Sequence, residues 1–196
     1  MTNPWLIIPV KPFGKGKSRL AASLSIQQRA ELSSRLLERL LRTARNTGLF
    51  GELLVISRDP AVRAVAAAAA AAVLCEAGSG LNAALSQART AAGAAGAGAI
   101  LVLPADLPQV TEADLLRLVD ACRGAAGAVI APSRDGGTNA LLLWPPDALD
   151  FEFGPDSFRR HCEQAKRKGL AVYVIDSPTL AFDLDRPDDL AQGQNP

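Results

Sequence analysis

Cysteine is scarce in this sequence. Cys75, Cys122 and Cys162 stand far apart, and no two share CxxC spacing. An odd count without that spacing argues against a disulfide framework or a zinc site. The three read as small buried hydrophobes in a reducing cytosol, which makes the expected location cytoplasmic. Histidine is scarcer still. His161 is the only one, inside a helical stretch with no serine or cysteine nucleophile motif nearby, so a packing or surface role is expected rather than catalysis. The six Phe are scattered and form no RNA-binding aromatic signature. Excess charge of one sign is also missing. The 21 basic and 20 acidic residues leave a net charge of +1, so there is no general pull toward nucleic acid or membrane. Any basic function must be local. No apolar run is long: the alanines at 66–72 fall far short of the roughly 20 residues that span a bilayer. The apolar stretch at 5–10 is short, contains Pro9 and lacks a charged region before it, so no leader is expected.

What is present is ample core material. Hydrophobic residues make up 48% of the 196, enough for one domain spanning 1–196. Short apolar runs alternate with helical periods. Strands are expected at 5–8, 53–56, 72–75, 100–103, 127–131, 139–144 and 170–175. Helices are expected at 26–47, from Asp59 onward, at 80–95, after Thr111, and near 155–168. Ser25 and Gln28 form a capping box, and Gly48 is a stop signal. This alternation predicts an α/β three-layer sandwich around a mostly parallel sheet. Only the loop 132–138 separates two of the strands, which leaves no room for a crossover helix and predicts a local reversal, hence a mixed sheet. Ligands in such sheets bind beyond the carboxyl ends of the strands. The polar segments there are 11–19, 57–59, 78–82, Asp106 and 133–139.

Four cations crowd the first of these: Lys11, Lys15, Lys17 and Arg19. Gly16-Lys17-Ser18 looks like the end of a Walker A loop, but Lys11 stands where that motif needs a glycine. The run is therefore a different phosphate cradle or a solvated turn. Asp106, among apolar neighbours after a strand, suits a Mg²⁺ ligand or a turn cap. Asp183 and Asp185 flank Leu184, and in an extended chain their carboxylates share a side, which invites a cation. A capped C-terminal helix after Pro187 is the plainer reading, with Asp188 and Asp189 at its positive end and no other role. Gly136-Gly137 permits close backbone approach to a ligand, or only a turn. Gly154-Pro155-Asp156-Ser157 opens a helix whose N–H groups and Ser157 hydroxyl suit an anion, or ordinary capping. Lys166, Arg167 and Lys168 fit the negative end of a helix and read as structural.

Taken in order, six segments resemble the CofC/FbiD guanylyltransferases of coenzyme F420 biosynthesis. They are Pro9-Val10-Lys11 with Lys17-Ser18-Arg19-Leu20, Gly80-Leu81-Asn82, Ala105-Asp106-Leu107-Pro108, Asp135-Gly136-Gly137-Thr138-Asn139-Ala140-Leu141, Phe153-Gly154-Pro155-Asp156-Ser157-Phe158, and Asp183-Leu184-Asp185. The resemblance implies a nucleotide-diphospho-sugar transferase or MobA-like fold. It implies transfer of GMP from GTP to a three-carbon phosphorylated acid with release of pyrophosphate. The acid would be phosphoenolpyruvate, 2-phospho-L-lactate or 3-phospho-D-glycerate. Asp106 and Asp185 would hold Mg²⁺, with Asp183 assisting. Lys17, with Lys11 and Arg19, would meet the GTP phosphates, and Gly80 and Asn82 would lie near the nucleoside. Thr138, Gly154 and Ser157 would meet the acceptor's carboxylate. Asp106 and Lys17 would be the catalytic pair, and other F420-pathway enzymes are candidate partners. Three alternatives stay open: another nucleotidyltransferase of this fold such as a molybdenum-cofactor guanylyltransferase, a metal-using glycosyltransferase, and a GTP-binding module that transfers nothing.

Overall fold

The computed structural model describes residues 3–122 and 125–192. Seven strands form one sheet: β1 (Trp5–Pro9), β2 (Glu52–Ile56), β3 (Ala72–Leu74), β4 (Ile100–Val102), β5 (Gly127–Pro132), β6 (Thr138–Trp144) and β7 (Ala171–Val174). Their spatial order is β3-β2-β1-β4-β6-β5-β7. The pairs β3–β2, β2–β1, β1–β4 and β5–β7 are parallel. β6 pairs antiparallel with both β4 and β5. The reversal expected around loop 132–138 is therefore real, and β6 alone runs against the rest of the sheet.

Central strands read as unbroken apolar runs because both their faces are covered. Leu6, Ile7 and Ile8 are fully buried, and alternate residues feed opposite cores. On one side, Leu6, Ile8, Leu53, Val55, Leu101 and Val129 pack beneath helices α1 (Ile26–Thr47), α2 (Pro60–Ala68), α4 (Glu112–Asp120) and the short α6 (Pro178–Ala181). On the other, Ile7, Leu54, Ile100, Ile130 and Leu141 pack against α3 (Leu81–Ala94) and α5 (Ser157–Arg167). A last short helix, α7 (Asp189–Gln192), follows Pro187.

Local chemistry sets the helix ends. In α1 the Ser25 side chain accepts from Gln28 N–H while Gln28 reaches back to Ser25 N–H, and Gly48 turns left-handed at φ 63° to end the helix. Leu36, Leu37, Leu40, Leu41 and Ala44 form its buried stripe. Thr111 and Asp114 make the same reciprocal box on α4. The cysteine expectation holds only in part: Cys122 is buried, Cys162 half-buried and Cys75 exposed. Cys75 falls just past the end of edge strand β3, where nothing covers it. No helix among the described residues is long and apolar enough to cross a membrane.

Candidate active site

A cavity of about 530 Å³ opens over the carboxyl ends of β1, β2 and β4. Lys11, Lys15, Lys17, Arg58, Gly80, Asp106, Thr138 and Asp185 all line it, so the polar strand ends do converge on one edge. Thr138 reaches that edge only because β6 is reversed, which brings its first residue beside the last residues of its neighbours.

The basic loop is two short 3₁₀ turns, Phe13–Lys15 and Ser18–Leu20, joined through Gly16 and Lys17. It is held rigidly for so charged a segment. Phe13 is buried in the core, its N–H donates to Asp59 Oδ2 at 3.0 Å, and Arg29 Nη1 donates to the Gly16 carbonyl at 3.2 Å. Asp59 thus serves twice, since its other oxygen caps α2. Lys17 sits in the left-handed region at φ 54°, a costly place for a side-chain-bearing residue. That conformation turns its ammonium inward: the side chain is 7% exposed and donates to Asp106 Oδ2 at 3.0 Å. Lys11 and Arg19 stay exposed.

Arg19 pairs with Asp185, 166 residues away. The segment carrying Asp185 is strapped over β4, since Leu184 N–H donates to the Asp106 carbonyl at 3.0 Å and the Leu184 side chain is buried. Asp183 and Asp185 lie on either side of that anchor, both partly exposed. Burial, and then the charge of Asp106, pushes the Asp183 carboxyl above the ordinary range. Asp189 corrects the reading that it serves only a helix dipole. It is buried and accepts from Asp185 N–H at 3.0 Å and Arg186 N–H at 2.7 Å, while Arg134 donates to its other oxygen at 3.1 Å. Burial opposes its ionisation, but those donors outweigh it and hold the carboxyl below the usual range. Arg134 also donates to the Asp183 carbonyl and lies over the Phe182 ring. Asp189 and Arg134 therefore fix the strap that presents Asp183 and Asp185.

The expected acceptor residues divide. Thr138 lines the cavity, whereas Ser157 lies buried behind it and Gly154 sits exposed in the turn before α5. The N–H groups expected to be free are partly spent: Ser157 N–H donates to Gly154 and Phe158 N–H to Gly136. The Ser157 hydroxyl donates to Thr138 Oγ1 at 3.2 Å. Asn82 is likewise turned away from the cavity lining. Its amide makes two bonds to the Phe153 backbone, 2.9 Å from Phe153 N–H and 3.1 Å to the Phe153 carbonyl. It clamps the start of α3 to the turn before α5. Phe153 itself lines the cavity.

One feature escaped the sequence reading. Arg58 and Glu76, from the ends of β2 and β3, form a two-point ion pair at 3.0 and 2.8 Å on the cavity wall. The Arg58 bonds hold the Glu76 carboxyl below its ordinary range. Their pairing depends on β2–β3 register, which no local pattern reveals. His161 is fully buried and hydrogen-bonded, so the choice between packing and surface resolves to the interior. Among the described residues, no three acidic, histidine or cysteine side chains converge into a metal cage.

This arrangement has close relatives. The sequence profile of the family "Guanylyl transferase CofC like" matches residues 5–192. The chain belongs to the CofC-like guanylyl transferases. A "Phosphoenolpyruvate guanylyltransferase" of Rubrobacter xylanophilus is 47% identical over 95% of this chain and 91% of its own. A "2-phospho-L-lactate guanylyltransferase" of Methanocaldococcus infernus is 31% identical over 95% of this chain and 82% of its own. Membership makes the chain an enzyme of the nucleotidyltransferase type. Solved structures share the fold at low identity. A 4-diphosphocytidyl-2C-methyl-D-erythritol synthase from Anaerococcus prevotii superposes with a TM-score of 0.70 at 13% identity, covering 98% of this chain and 94% of that one. Glucosyl-3-phosphoglycerate synthase from Mycobacterium tuberculosis, in a complex with Mn²⁺ and uridine-diphosphate, gives 0.69 at 14%, covering 97% and 75%. This CofC-like chain is thus built on the nucleotide-diphospho-sugar transferase fold.

Proposed function

We propose that the protein transfers GMP from GTP to phosphoenolpyruvate, releases pyrophosphate, and so makes the guanylylated precursor of coenzyme F420. The observation that carries this reading is the near-buried Lys17 ammonium, ion-paired to Asp106 in a cavity that Thr138 also lines. Its cations suit a polyphosphate and its threonine hydroxyl a small acid. The more similar relatives support phosphoenolpyruvate over 2-phospho-L-lactate, being named for it at 47, 40 and 41% identity.

An oxygen of the acceptor's phosphate attacks the α-phosphorus of GTP. The bond from that phosphorus to the bridging oxygen breaks, and its electron pair leaves on pyrophosphate. The attacking oxygen is already anionic at neutral pH, so no general base is needed. The work lies in aligning two polyanions and neutralising their charge. Lys17 has three N–H donors, of which Asp106 takes one, leaving two for phosphate oxygens. Lys11 and Lys15 add positive charge to the cavity lining, and Arg19 is paired with Asp185 beside it. The acidic set fits a hard divalent cation. Asp183 is held above its ordinary range partly by Asp106, and a cation would relieve that repulsion. Two carboxylates suffice for Mg²⁺, which keeps phosphates and water as its other ligands. Asp106 and Asp185, with Asp183 beside them, would hold it, and it would polarise the α-phosphate and offset repulsion between the substrates.

Pyrophosphate release tests the proposal, with GTP or ATP offered against phosphoenolpyruvate, 2-phospho-L-lactate and 3-phospho-D-glycerate. GTP with phosphoenolpyruvate is expected to be fastest, and no release with any acceptor overturns the reading. Asp106→Asn is expected to lose on the order of 10²-fold or more in kcat with its fold intact. Wild-type turnover by that variant would remove Asp106 from the chemistry.

A further inference from the structure

His161 is the one titratable group buried beside the cavity to which the proposed reaction gives no part. Its ring is fixed on every side. Nε2 lies 3.1 Å from the Glu152 N–H, a donor that cannot be reversed, so Nε2 is the bare nitrogen. In a neutral ring the proton then sits on Nδ1. Nδ1 is 3.1 Å from Thr138 Oγ1, which must accept. Ser157, one helical turn before His161 on α5, donates its hydroxyl to the same oxygen at 3.2 Å. Phe153 packs edge-on against the ring at 5.2 Å between centroids.

A threonine hydroxyl has two lone pairs and one hydrogen. Both lone pairs of Thr138 are taken from behind, so its hydrogen is left for the cavity that the residue lines. We propose that His161 is a positioning residue, which locks the Thr138 hydroxyl as a donor aimed at an anionic oxygen of the acceptor. This rests on the acceptor reading of Thr138 given above. Burial, and then the charge of Arg160, lowers the His161 pKa to about 4, so the ring stays neutral and the tautomer holds at neutral pH. A hydroxyl locked in this sense favours carboxylate or phosphate oxygens and disfavours any group that must itself donate.

The wild-type chain offers a direct test, because His161 is its only histidine. In untagged protein, a long-range ¹H–¹⁵N spectrum should show a protonated Nδ1 and a bare Nε2. The opposite tautomer overturns the proposal. Kinetics separate its failure from failure of the acceptor reading. His161→Asn places an amide N–H near Nδ1, whereas His161→Gln and His161→Phe do not. The Asn variant should keep a wild-type KM for phosphoenolpyruvate, while Gln and Phe raise it about tenfold or more, the scale of one hydrogen bond to a charged group. The KM for GTP should stay within about twofold in all three. Thr138→Val supplies the reference. An unchanged acceptor KM in Thr138→Val sinks the acceptor reading itself. A raised KM there, with wild-type values in His161→Gln, sinks only the role of His161. Should the substituted chains fail to fold, the tautomer decides.

Discussion

Asp183 is a carboxyl of the candidate site whose neutral form is favoured. Burial and the Asp106 carboxylate both favour its neutral form, and its pKa is raised. A carboxyl with a raised folded pKa carries a stability cost that is complete above that value and is gone only below the unfolded one. Asp183→Asn should therefore raise the Tm of the apo protein at neutral pH while lowering activity. A scanning calorimetry trace with an unchanged or lower Tm would contradict this. His161 carries the opposite sign. Its folded pKa of about 4 lies below the ordinary value of 6.5, so the unfolded chain binds the extra proton. Stability is complete above about pH 6.5 and falls by about 3 kcal/mol as pH drops toward 4. Glu76, Asp114, Asp135 and Asp189 are all held below their usual range and lose their contributions only below about pH 4.5, while Asp183 works against the histidine by relieving its own cost as pH falls. The urea midpoint should fall from pH 7 to pH 5 in the wild type and lose that fall in His161→Asn.

Elements were far more legible in the sequence than their partnerships. The bounds of α1, including both caps, follow from Ser25, Gln28 and Gly48, because capping is decided within a few residues. The reversal of β6 followed from a loop too short for a crossover. The pieces that escaped notice depend on what folding brings alongside. Nothing near Asn82 in the chain foretells that its amide faces the Phe153 backbone, 71 residues on. Nor does a helix-dipole argument reveal that Asp189 braces the Asp185 backbone. The edge strand β7 shows the same dependence. A Cβ added at Gly127 would lie 2.8 Å from the Ala171 carbonyl oxygen and 3.3 Å from Cys122 Sγ. The first contact is with backbone and cannot swing away. Gly127→Ala should cost about 1–3 kcal/mol and raise amide exchange along β7 before the rest of the sheet. Uniform exchange through all seven strands would show that β7 does not open on its own.

For the molecule as a whole, charge is nearly balanced at +1 yet unevenly placed, with Lys11, Lys15, Lys17 and Arg19 gathered on one rim. Attraction of a polyanionic nucleotide is therefore short-ranged and easily screened. Raising salt from about 0.1 to 1 M shortens the screening length from roughly 10 to 3 Å. The KM for GTP should rise several-fold over that range with Tm little changed, and a flat KM would show that the exposed rim contributes nothing to capture. The strap over β4 has a consequence of another kind. Synthesis is vectorial, so the lysine loop and Asp106 leave the ribosome long before Asp183 and Asp185. Leu184 N–H then docks on the Asp106 carbonyl, and Asp185 meets Arg19 across 166 residues. The edge that carries Lys17 and Asp106 is thus completed by a segment made long after both. On the proposed reaction, a nascent chain arrested before Asp183 holds the lysine loop and Asp106 without Asp183 and Asp185, so competence for transfer waits for that segment.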